Sequence, residues 1–228
     1  MIEFSLPPNI SFSLEKARRV QTALSKMVIR EDRINAPIKY VAGVDVAYAE
    51  EYAIGAVAVL SYETLEPVEV KTALVKVRFP YVPTLLSFRE MPAAVAAIKK
   101  LEIKPNVFLV DGQGIAHPYR LGFASHLGVT LNVPTIGVAK RLLCGEVLGD
   151  SSVWRPVVHE GEVVGGAVYT KHGTKPIYVS IGHMVSLETA IKIVLACTRG
   201  YRIPEPLRLS HISAERIKKE FVPHINSP

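Results

Sequence analysis

Apolar residues near the start of the chain recur at helical spacing. FSLEKARRVQTALSKMVI, residues 12–29, predicts a basic amphipathic helix with Ser13 available as its cap. From Tyr40 the period changes. YVAGVDVAYAE and YAIGAVAVLSYETLEPVEVKTALVKVRFP are rich in valine, alternate in places and hold a plausible turn at Glu-Thr-Leu-Glu-Pro, so three consecutive antiparallel strands are expected. PYVPTLLSFREMPAAVAAIKKLE returns to helical spacing, with Thr84 as a possible cap and a break or kink near Pro92. The short apolar run VFLV then leads into Asp111, and GFASHLGVTLNVPTIGVAK repeats helix, turn and buried strand as a parallel βαβ unit does. Further strands are expected at EVVGGAVYT and PIYVSIG, and further helices from about Ser186 to Cys197 and about Ser213 to Phe221. Three meandering strands followed by alternating helices and strands describe an α/β fold, a mixed central β-sheet flanked by α-helices. One domain over residues 1–228 suits this length.

Composition narrows the class. Almost half the residues are hydrophobic and about a fifth are charged, which supplies a packed core and speaks against global disorder. The formal charge of +6 is compatible with an anionic partner such as nucleic acid, although on charge alone a well-solvated basic surface is the favoured reading. MIEFSLPPNI lacks the basic and then apolar segments of an export signal, and the longest uncharged run, Leu121 to Ala139, is interrupted by glycines and a proline. No membrane partner is expected. Cys144 and Cys197 form no CxxC, so a cytoplasmic location and neither a disulfide framework nor a zinc knuckle are the expectation, with a monomer the simplest state.

Three acids stand where surface acids do not. Asp45 interrupts an almost wholly apolar strand, and an isolated charge there costs several kcal/mol to desolvate. Asp111 ends its own apolar strand, at the edge where parallel sheets open onto ligand crevices. Glu90, in SFRE, precedes a helical run and is placed to point back over the sheet. Singly, each has a plain reading: a strand-edge residue, a turn former before Gly112, and half of a surface pair with Arg89. If the strands of Asp45 and Asp111 are neighbours, the carboxylates converge and raise each other's pKa unless a cation sits between them. Hard oxygen ligands with room for water suit Mg²⁺, with Mn²⁺ as substitute, and such an ion serves phosphoryl transfer.

The quoted motifs resemble a known family, endonuclease V or deoxyinosine 3′ endonuclease. The match runs through GVD at 43–45, PYVP at 80–83, SFRE at 87–90, DGQGIAHPYRLGFASHLG at 111–128, GVAKRLLCG at 137–145 and YRIPEPLRLSH at 201–211. The resemblance implies a ribonuclease H-like fold and a Mg²⁺-dependent DNA repair enzyme. Its expected substrate is deaminated adenine in DNA, or inosine in RNA for some members, and it is expected to cleave the second phosphodiester bond 3′ to the lesion.

By the same resemblance, Asp45, Glu90 and Asp111 fall on the acidic site, with Asp45 and Asp111 holding the metal and His211 assisting. Lys140 is expected to face the scissile phosphate and stabilise developing charge. Tyr81, presented from a stiff turn between prolines, is expected to fill the space left by an extruded nucleotide, with Leu86 beside it among the substrate-binding residues. Gly112 and Gly114 are expected to bring backbone groups against a flat base, and His117 to contact phosphate or metal water. At Tyr119 many members carry arginine, and the adjacent Arg120 is a candidate replacement.

Three rivals make different demands. Another nuclease of this fold predicts cleavage unrelated to inosine, and the PYVP and DGQG blocks count against it. An ATP-handling relative of sugar kinases needs a phosphate-wrapping glycine soon after its first aspartate, and VDVAYAE has none. A non-catalytic binding module would tolerate loss of the acids.

Overall fold

Among the described residues a single nine-stranded sheet forms the centre of the molecule. The computed structural model describes residues 13–150 and 153–225. The leading segment MIEFSLPPNI and residue 12 of the first expected helix lie outside the described residues. Strands β1 (Tyr40–Ala49), β2 (Tyr52–Ser61) and β3 (Pro67–Lys76) form the expected antiparallel meander. Its second turn brings the Leu65 N–H to the Ser61 carbonyl at 2.9 Å, so the Glu-Thr-Leu-Glu-Pro turn is where the sequence indicates.

Strands β4 (Val107–Asp111) and β5 (Thr135–Ala139) lie parallel to β1 and to each other, joined by helix α3 (Phe123–Leu131). Both are buried along almost their whole length, as their unbroken apolar runs require of strands covered on both faces. The sheet continues antiparallel through β9 (Ile177–His183), β8 (Glu162–Val168), β7 (Trp154–His159) and the two-residue β6 (Glu146–Val147). Helix α2 (Leu86–Ile98) and α3 cover one face through Met91, Ala94 and Leu127 against Val44, Val57 and Val110. Helices α4 (Leu187–Ala196) and α5 (Glu205–Ile225) cover the other through Ile191, Val194 and Leu207 against Val41, Leu109 and Ile136. The architecture is the expected mixed α/β, ribonuclease H-like class. Among the described residues no helix is long and apolar enough to cross a membrane.

Four local expectations need correction. Helix α1 spans Leu14–Ser25, shorter than predicted, and Ser13 does cap it. Thr84 caps nothing: it adopts a left-handed φ of 66°, and α2 begins after Leu85 and runs on through Pro92. Strands β6 and β7 went unpredicted because WRPVVH carries Pro156, a residue that demotes a strand; here it works as an acceptor, taking the Leu148 N–H at 2.9 Å. Helix α5 starts eight residues earlier than expected, since Pro206 sits in its first turn, where a missing N–H costs nothing. This shift puts His211 on a helix, one turn after the buried Leu207.

Gly43 sets how close that helix comes. A Cβ there would lie 2.0 Å from the Pro206 carbonyl oxygen, so only bare backbone lets α5 rest on β1. The obstacle is main chain and cannot swing aside. Gly43→Ala is therefore expected to lower unfolding stability by about 2–3 kcal/mol, measurable in urea, and to reduce activity by displacing His211.

Candidate active site

Register brings the acids together. Val44 pairs with Val110 across the parallel β1 and β4, so Asp45 and Asp111 follow side by side at the carboxyl ends of adjacent strands. Both alternate onto the face covered by α5. His211 descends from α5, and its Nδ1 lies 2.7 Å from Asp45 Oδ2. Ligand atoms of Asp45, Asp111 and His211 all fall within 4.8 Å of one another, the cluster able to hold a metal among the described residues.

Charge around this cluster is unbalanced. Burial pushes the Asp111 carboxyl above its usual range, and the Asp45 charge adds to the rise while Lys140 and His211 oppose it. Glu90, in the second turn of α2, is driven further up by burial and then by Asp45 and Asp111. It therefore stands close enough to feel both acids, although outside the three-residue cluster. Arg89 does not neutralise it: the guanidinium donates to the Phe79 carbonyl at 3.1 Å and lies over the Tyr48 ring. Lys140, just past the end of β5, reaches Asp111 Oδ2 at 2.5 Å. Carboxylates crowded at a strand end with one ammonium and one imidazole form a donor set of hard oxygens and nitrogen, which fits a divalent cation.

Two flanking features present themselves to solvent. The Tyr81 side chain is 70% exposed on the segment leading into α2, and Leu86, the first residue of that helix, is 39% exposed. Since Glu90 lies four residues further along α2, this apolar tip and the acidic cluster share one end of the sheet.

Several other expected site residues already have partners within the fold. The Gly112 N–H already donates to the Val138 carbonyl at 3.1 Å, and the Gly114 N–H to Ser180 Oγ at 2.8 Å. The Gly114 carbonyl accepts from Gly122 at 2.9 Å, and a Cβ on Gly114 would meet the Ile181 oxygen at 2.0 Å. Gly114 thus serves close packing of the loop on β9, and its amide is not free for a base. His117 is likewise buried, 5% exposed, with Nδ1 accepting the Tyr119 N–H at 3.2 Å and the ring bonded to the Thr84 carbonyl. In this structure it serves as a turn histidine. Arg120 is no substitute for a cation at position 119, because its guanidinium is spent on Glu162 at 2.9 Å, the His117 carbonyl at 3.1 Å and His159.

Sequence reasoning left Arg202 without a role. It donates to the carbonyls of Lys140 and Pro176 at 2.8 Å each and of Lys175 at 2.9 Å, which ties the backbone of Lys140 to the β8–β9 connection. The YRIPEP motif that contains it was visible, but nothing in the sequence pointed it at Lys140.

Paired acids at the ends of neighbouring strands, with an imidazole and an ammonium beside them, define a metal-dependent phosphodiester hydrolase. Comparison with known proteins gives the family. The endonuclease V family model matches residues 22–212. Endonuclease V of Thermofilum pendens is 51% identical over 210 residues, covering 92% of this chain and 90% of its own. Among solved structures, endonuclease V of Streptomyces avermitilis superposes with a TM-score of 0.87 at 40% identity, covering 94% of this chain and 97% of that one. Endonuclease V of Ciona intestinalis, solved with a 24mer DNA containing an inosine followed by a ribo-adenosine, has a TM-score of 0.82 at 34% identity, covering 91% and 98%. The chain belongs to the endonuclease V family and is an endonuclease.

Proposed function

We propose that this endonuclease recognises deoxyinosine in DNA and hydrolyses the second phosphodiester bond 3′ to it, using Mg²⁺ and leaving a 3′-hydroxyl and a 5′-phosphate. The observation that carries the reading is the convergence of Asp45, Asp111 and His211 at one strand end, beside an exposed aromatic tip. The Ciona intestinalis relative bound to inosine-containing DNA supports the choice of substrate.

In this reading Asp45 and Asp111 hold the ion, with His211 completing the donor set. When bound, the ion supplies Lewis-acid activation of water and neutralises charge on the phosphate oxygens. The rest falls to side chains of this chain. Glu90, whose carboxyl burial and then the charges of Asp45 and Asp111 push above its usual range, would be placed to orient the attacking water. Lys140 is already at Asp111 and has a short movement to make toward the phosphate as charge develops there. Tyr81, with Leu86 behind it, enters the duplex or strand and fills the gap left by the extruded nucleotide. A weakly paired base costs less to extrude, which adds selectivity to that of the pocket.

The test compares matched oligonucleotides with and without inosine, as single-stranded DNA, duplex DNA and RNA, at fixed salt with Mg²⁺. Nicking one nucleotide beyond the inosine's 3′ neighbour bond, at least about tenfold faster than of the adenine control, is the expected result. Cleavage indifferent to inosine in all three would overturn it, and cleavage confined to RNA would reassign the enzyme as an inosine-specific ribonuclease.

A further inference from the structure

Helix α1 carries two polar side chains that look inward, and both lead to one residue. Gln21 is fully buried, and its amide donates to the Thr84 carbonyl at 2.8 Å and more distantly to the Leu121 carbonyl at 3.4 Å. Arg18, held by Gln21 Oε1 at 2.8 Å, donates to Thr84 Oγ1 at 2.6 Å and to the Pro83 carbonyl at 3.3 Å. Its guanidinium also stacks over the Tyr119 ring, 4.2 Å from the centroid. The His117 ring reaches the same Thr84 carbonyl from the DGQG loop. Thr84 thus has its hydroxyl and its carbonyl both occupied while it holds a left-handed φ that a β-branched residue rarely adopts. An unfavourable conformation so heavily tied down is imposed by its surroundings.

Thr84 stands three residues after Tyr81, at the base of the exposed tip. We propose that α1 braces this tip, with Arg18 and Gln21 acting as positioning residues that hold Tyr81 for entry beside a damaged base. The inference rests on the recognition reading above and goes beyond it, since Arg18 and Gln21 precede the residues matched by the family model. The physical basis is preorganisation: a tip already fixed in its working geometry loses less freedom on binding. Tyr119 takes part in the same way. Its aromatic ring is the platform on which the Arg18 fork lies.

Because the tip acts when the nucleotide enters and the acids act afterwards, loosening it raises KM with little change in kcat. The experiment uses the full chain and compares wild type, Arg18→Ala, Thr84→Val and the double variant on inosine and adenine single strands with Mg²⁺. Hydrogen exchange is followed over residues 82–85. Each single variant is expected to raise KM for the inosine strand about tenfold, as for loss of a charge-assisted hydrogen bond, with kcat held within about twofold. The double variant is expected to add little to either, because both cut the same contact. Exchange over residues 82–85 should quicken while β4 amides stay protected, which separates a loosened tip from a damaged fold. Thr84→Val keeps the test decisive if Arg18→Ala fails to fold. Wild-type KM and exchange in either single variant, or a fall in kcat at unchanged KM, would overturn the brace. A wild type that does not prefer inosine would overturn the recognition reading, and the brace's role with it.

Discussion

Asp111→Ala is expected to slow cleavage of an inosine-containing strand by at least about 10³-fold, a loss near 4 kcal/mol of transition-state stabilisation. Asp45→Ala should match it. The expectation follows from the register of β1 and β4, which makes the two carboxylates one site: removing either leaves too few hard donors and takes the counter-charge from a neighbour. In Asp111→Ala that neighbour is Lys140, whose ammonium loses its partner at 2.5 Å, and in Asp45→Ala it is His211. Binding and chemistry separate here, because the exposed Tyr81 is untouched. DNA affinity measured at the same salt should stay within about threefold of wild type, since phosphate contacts set most of it. Either variant retaining a tenth of wild-type turnover would show that the acids do not hold the reaction centre. Loss of binding in parallel with turnover would point to a damaged surface instead.

Those acids were legible because a charge in an apolar strand is an anomaly in one dimension as well as in three. Asp45 and Asp111 each broke a hydrophobic run, and two such runs that pair in parallel bring their ends together whatever else the chain does. The strand order of the meander and the βαβ unit were readable for the same reason, since period and burial are linked. What escaped was set by contacts between distant residues. Pro206 reads as a break until it is seen in the first turn of a helix, and so the start of α5 and the placing of His211 were missed. Gly114 and His117 stand in a motif that suggests a ligand, yet their polar groups are consumed by Ser180, Gly122, Tyr119 and Thr84. Whether a motif polar group faces solvent or its own fold depends on partners up to 66 residues away in this case, and no local pattern encodes that.

The burial of His117 carries a measurable consequence for stability in acid. Burial and the nearby Arg18 and Arg120 hold its pKa down at about 4, and burial alone does the same for His126, whose Nδ1 is 3.0 Å from Ser87 Oγ. In the unfolded chain both titrate near 6.5. Between those values the unfolded state binds protons that the folded state refuses, so stability present above pH 6.5 is lost as pH falls toward 4. By this linkage each histidine is expected to cost about 3 kcal/mol by pH 4. Glu90 and Asp111, held above their usual range, run the opposite way, because the folded state keeps their protons longer than the unfolded chain does. The total slope is therefore a mixture, and single substitutions isolate the histidines. Urea unfolding of His126→Gln and His117→Gln at pH 7 and pH 4.5 is expected to show a stability loss smaller than that of wild type by about 2–3 kcal/mol in each case. Wild-type loss in His117→Gln would mean that its imidazole takes up a proton freely in the folded protein, as a phosphate-facing histidine would.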